Sequence, residues 1–123
     1  MAQKKERKVL RKIVNDKFSF GDLSPKLKGV TASTGNIYCP FHQNDNTPAA
    51  KVYFNEDENI FVIHCFSKCG RSFTAFDYVE KILCEKDKEF YSVEDFLEHK
   101  LGKALFETVY KEYRANFDFL QLS

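Results

Sequence analysis

The chain has 123 residues, 43% of them hydrophobic and 30% charged, with four cysteines and a formal net charge of +1. That length allows one domain with a modest core, for which a metal ion is a plausible staple. No apolar stretch approaches the length of a membrane span and Met1 to Lys12 is mostly charged, so neither a signal segment nor an anchor is expected. The thiols are then expected to stay reduced in a cytoplasm, which argues against a disulfide framework. The small net charge conceals a gradient: residues 1–30 carry nine Lys/Arg against three Asp/Glu, and residues 72–123 carry seven against eleven. A polyanionic partner in front and a protein partner behind would suit that split, although both ends also read as solvated helix faces.

In chain order, Lys4 to Asp16 places Val9, Leu10, Ile13 and Val14 at helical spacing among Lys and Arg residues and predicts an amphipathic basic helix. Phe18 to Gly35 is punctuated by Gly21, Ser24-Pro25, Gly29 and Gly35 and reads as a loop with a short helical turn. It carries Lys26 and Lys28.

Asn36 to Tyr38 predicts a short strand leading into Cys39-Pro40-Phe41-His42, and a second paired half-site follows 22 residues later at Cys65-Phe66-Ser67-Lys68-Cys69-Gly70. Together they supply three thiols and one imidazole. Zn²⁺ favours four nitrogen or sulfur ligands in a tetrahedron, and ligand pairs on two tight turns deliver them from a short chain. Unrelated core cysteines are the bland alternative, since free cysteine is readily buried. His64 adjoins Cys65 and is a competing ligand, but only Cys65 forms a knuckle with Cys69.

Between the half-sites, Ala49 to Phe54 and Asn59 to His64 predict strands joined by Asn55-Glu56-Asp57-Glu58. That turn pairs Phe54 with Asn59, Val52 with Phe61 and Ala50 with Ile63. Alternation then puts Ala50, Val52, Phe54, Phe61 and Ile63 on a core face, and Lys51, Tyr53, Ile60, Val62 and His64 on a mixed face. Single strands are held by cations on phosphates and by rings under bases, so Lys51, Tyr53 and His64 are candidate nucleic-acid contacts. Lys68 and Arg71 extend that cationic edge, and they would equally offset the net negative charge of zinc held by three thiolates. Lys26 and Lys28 complete the candidate set.

Beyond Gly70, Ser72 is a candidate N-cap for a helix with Phe73, Phe76, Val79, Ile82 and Leu83 in one stripe, ended by a charged break at Glu85 to Glu89. Ser92 caps the next helix, with Val93, Phe96, Leu97 and Leu101 on one face. After Gly102 a stripe of Phe106, Val109, Tyr110, Tyr113, Phe117 and Leu120 reads mainly as core, with some surface left to dock a partner. Cys84 reads as a small apolar packing residue and His99 as exposed.

The ligand half-sites, with Thr47-Pro48 after the first, His64-Cys65-Phe66 at the second and Ala75-Phe76-Asp77-Tyr78-Val79 opening a helix, resemble the zinc-binding domain of bacterial and phage DNA primases over residues 36–79. The resemblance implies that Cys39, His42, Cys65 and Cys69 hold one structural Zn²⁺ and that the module contacts single-stranded template during primer initiation. It also implies a separate polymerising centre, so a catalytic primase polypeptide or a helicase is the expected partner. The family usually has two residues between its last two cysteines, where Phe66, Ser67 and Lys68 make three here.

The expected fold is α+β: residues 1–35 a basic helix and loop, 36–71 a small antiparallel zinc ribbon, and 72–123 helices packing on it, in one compact domain. Primer synthesis needs a carboxylate cluster that holds Mg²⁺ around nucleotide phosphates. Glu85, Asp87 and Glu89 sit in a polar break without a glycine-rich phosphate loop, so no catalysis by this chain alone, no small-molecule substrate and no membrane are expected. The expected setting is the cytoplasm of a bacterial or phage-infected cell. The competing expectation is a zinc-ribbon adaptor of a phage or mobile-element replication system, working through protein contacts.

Overall fold

The computed structural model describes residues 4–41 and 48–122. Helix α1, Lys4–Lys17, buries Val9, Leu10, Ile13 and Val14 as their spacing predicts. Its charged side is tied down rather than uniformly free. Arg7 donates to both carboxylate oxygens of Glu80, at 3.2 and 2.6 Å, Arg11 pairs with Glu58 at 3.4 Å, and Lys12 with Asp16 at 3.4 Å.

The segment read as loop holds a four-residue helix α2, Phe20–Leu23, opened by a reciprocal capping box between Ser19 and Asp22. A 3₁₀ turn, Pro25–Leu27, follows. Phe20 and Leu27 are both buried, so this stretch contributes to the core. The strand expected at Asn36 to Tyr38 is reduced to one bridge, in which Ile37 and Ala50 exchange backbone hydrogen bonds of 2.7 and 2.9 Å.

Strands β1, Ala50–Asn55, and β2, Ile60–Cys65, form the hairpin, and β3, Ser72–Phe73, adds a short third strand along β2. The register differs from the expected one. Val52 pairs with Ile63 and Phe54 with Phe61, because the loop is Glu56 to Asn59 rather than Asn55 to Glu58. The Asn55 side chain accepts the Glu58 amide at 3.2 Å, and Asn59 takes the left-handed conformation at φ 58, which asparagine tolerates. Moving the loop by one residue shifts each pairing by two, so the residues still sort onto the two expected faces. Burial does not follow that sorting at the tip. Phe54 and Phe61, expected in the core, are 44% and 48% exposed and rest on each other at 5.1 Å, whereas Ile60 and Val62 of the mixed face are buried. Since β3 pairs only with Ile63 and His64, the tip is two-stranded, and the third strand does not extend to Phe54 and Phe61.

Thr74, not Ser72, caps the helix after the second knuckle. Its hydroxyl accepts the Asp77 amide while the Asp77 carboxylate accepts the Thr74 amide, a return bond that Ala75 could not make for Ser72. Helix α3, Ala75–Tyr78, runs into an eight-residue π-helix, Val79–Lys86, so the charged break starts later than Glu85. Helix α4, Val93–Leu101, is capped by Ser92 as expected and stops at Gly102, whose φ of 85 suits glycine. Helix α5, Lys103–Leu122, lays Phe106 and Val109 in the core and Tyr113 and Phe117 against it, with Tyr113 donating to Asp16 of α1 at 3.1 Å. Much of the aromatic stripe is therefore spent internally; the side chain of Leu120 is outside the described set. One buried cluster joins Ile13 and Val14 of α1, Ile63 of β2, Phe76 of α3, and Phe96 and Leu97 of α4. No described helix is long and apolar enough to cross a membrane.

Candidate metal centre

Three thiols meet at the base of the sheet. Cys39 follows the Ile37 bridge, Cys65 ends β2, and Cys69 lies on the turn back to β3. Their sulfurs all fall within 4.8 Å of one another, and Cys39 and Cys69 are 3.8 Å apart. Two Zn–S bonds of about 2.3 Å meeting at a tetrahedral angle span about 3.8 Å, whereas a disulfide needs about 2.05 Å. His42 lies outside the described residues.

The backbone prepares each turn for a thiolate. The Phe41 amide donates to Cys39 Sγ at 3.4 Å, and the amides of Cys69 and Ser67 donate to Cys65. Gly70, at φ 59, lets the chain turn straight after Cys69, so that the Cys65 amide reaches the Arg71 carbonyl at 3.0 Å. Burial would raise the Cys65 thiol, but those amides overcome it and hold the group down to about 7. Burial dominates at Cys39, pushed up to about 12, and also raises Cys69. Beside Cys39, Phe41 stacks on Phe73 at 3.8 Å and meets Tyr78 edge-on at 6.0 Å. Such a set of soft, partly dehydrated donors suits Zn²⁺ or another thiophilic ion. Cys84, on the π-helix, is outside the cluster, its thiol pushed up to about 11 mainly by burial.

No family model matches this sequence, and comparison with curated proteins and with solved structures finds no match either.

The sheet's outer face is built by the hairpin register. Lys51 pairs with His64 and Tyr53 with Val62, and the Lys51 ammonium sits 5.7 Å from the Tyr53 ring centre. His64 shares a 2.9 Å hydrogen bond with Ser72 Oγ, which holds the imidazole on this face, away from a role beside Cys65. Phe66 is a member that the sequence reading missed. It is 55% exposed, 6.1 Å from Tyr53 and 4.7 Å from His64, both edge-on. Its signal was available: alternation carried one step past Cys65 puts residue 66 beside His64.

The remaining candidates are dispersed. Lys68 is exposed in the second knuckle. Arg71 lays its guanidinium over Phe73 at 4.8 Å, on the side of the strand that faces the core, and its charge favours the Cys69 thiolate. That position fits the charge-offsetting role more directly than the cationic edge. Lys26, on the 3₁₀ turn, and Lys28, just after it, are exposed and belong to neither group.

Proposed function

We propose that the chain is a primase-type zinc-binding module that contacts single-stranded DNA template through the outer face of its sheet, with a separate polypeptide supplying catalysis. The observation that carries this reading is the meeting of Cys39, Cys65 and Cys69 at the base of a sheet whose opposite surface presents Lys51, Tyr53, His64 and Phe66. Zinc, with His42 as the fourth ligand, would hold the two knuckles at a fixed separation and so fix the face between them. Exposed rings accept any base and Lys51 supplies a phosphate contact, which gives weak binding with little sequence readout.

The test is titration of a labelled single strand at several salt concentrations. Tyr53→Ala is expected to cost about 1–3 kcal/mol with an unchanged salt slope, and Lys51→Ala to shrink the slope by about 0.7. Equal binding by wild type and both variants would sink the template reading in favour of the protein adaptor. With a catalytic partner added, primer synthesis is expected to appear and to require Cys65.

A further inference from the structure

A groove of about 1210 Å³ opens beside Cys39, between the Asn36 to Pro40 segment on one side and the 3₁₀ turn and π-helix on the other. Ile37 and Ile82 line it together with Lys26 and Lys86. Long π-helices are rare and concentrate at functional sites, and this one forms a wall.

Tyr38 connects the groove to the outer face. Ile37 pairs with Ala50 and packs toward the core, so the next residue points to the opposite side, the side of Lys51 and Tyr53. Tyr38 is 55% exposed, lines the groove, and precedes a cysteine that turns inward again. Phe66 reaches the same edge, since its amide donates to the Ala49 carbonyl at 2.7 Å, one residue from the Ile37 bridge. A strand lying on Tyr53 and Phe66 would meet Tyr38 next.

Resting on the template reading above, we propose that the same strand continues over this edge by one nucleotide, its base stacked on Tyr38 at the outer face and its phosphate at the mouth of the groove, met by Lys26 and Lys86. Asp87 and Glu89 also border the groove and repel phosphate. They mark where the backbone turns out to solvent and limit the site to that nucleotide.

The experiment compares labelled single strands of about three and about six nucleotides on the metal-loaded full chain. Wild type is expected to bind the longer strand more tightly, and Tyr38→Ala to remove that gain, about tenfold, while leaving the short strand unaffected. Tyr38→Phe keeps the ring and is expected to restore the gain. Neutralising the rim with Asp87→Asn and Glu89→Gln is expected to strengthen binding of the longer strand alone. A length advantage that survives Tyr38→Ala overturns the groove assignment and leaves the outer-face reading intact. Binding of neither strand by wild type overturns both.

Discussion

Cys39 and Cys65 are neighbours in the same cluster yet sit far apart on the proton scale, at about 12 and about 7. Burial raises both thiols, but at Cys39 it outweighs the one amide and is reinforced by hydrogen bonds with the other thiols, whereas at Cys65 two amides and those same thiol bonds overcome it. At neutral pH the metal-free chain therefore holds protons on Cys39 and Cys69 and on part of the Cys65 population. Metal binding must displace them, so uptake is expected to release about two to three protons per chain. Protons compete with the ion, and affinity is expected to rise with pH and fall as pH is lowered through the Cys65 value. Calorimetry of zinc binding in buffers of different ionisation enthalpy measures the count; release of fewer than about two protons would mean that the thiols do not act together.

At the scale of elements, caps and turns decide where pieces begin. Thr74 and Ser72 are close in sequence and chemically similar, but only Thr74 closes a reciprocal box with Asp77. Thr74→Ala is expected to cost about 1 kcal/mol in denaturant unfolding, and Ser72→Ala markedly less, because its hydroxyl bonds the half-exposed His64. Equal costs would contradict the assigned cap. The hairpin loop makes the same point: Asn59 at φ 58 admits a one-residue shift of the turn. A β-branched residue is strained there, so Asn59→Val is expected to lose about 1–2 kcal/mol, read in the same experiment, whereas Asn59→Gly should be tolerated.

In the whole molecule, the thiol cluster and the helical core are joined but not equivalent. Cys39 and Cys65 belong to the buried cluster, yet its largest fully buried side chains include Phe76 and Phe96, carried by helices. Chelation is therefore expected to release the knuckles and the end of β2 while α1, α4 and α5 stay folded. Hydrogen exchange would show rapid loss of protection near Cys65 beside protected helices; uniform loss would instead make the metal essential to the entire fold. Phe96→Ala removes a fully buried ring and is expected to cost about 3–5 kcal/mol across the molecule.

Much of this was legible in the sequence because it is local. The apolar spacing of Val9 to Val14 yields α1, the alternation from Ala50 to Cys65 yields the hairpin, and the short gap between Cys65 and Cys69 keeps those two sulfurs together, close to Cys39. Backbone periodicity and tight turns need no knowledge of distant residues. What packs across a gap is another matter. Only the tertiary structure decided that Phe54 and Phe61 leave the core while Ile60 enters cover, since that depends on how far the short β3 extends and on what packs over each face. It likewise decided that Arg71 lies on Phe73 rather than beside Lys51, and that α1 spends Arg7 and Arg11 on Glu80 and Glu58. A charge in a sequence has a sign but no neighbour until the chain folds, and its partner determines whether it serves a surface or holds the molecule together.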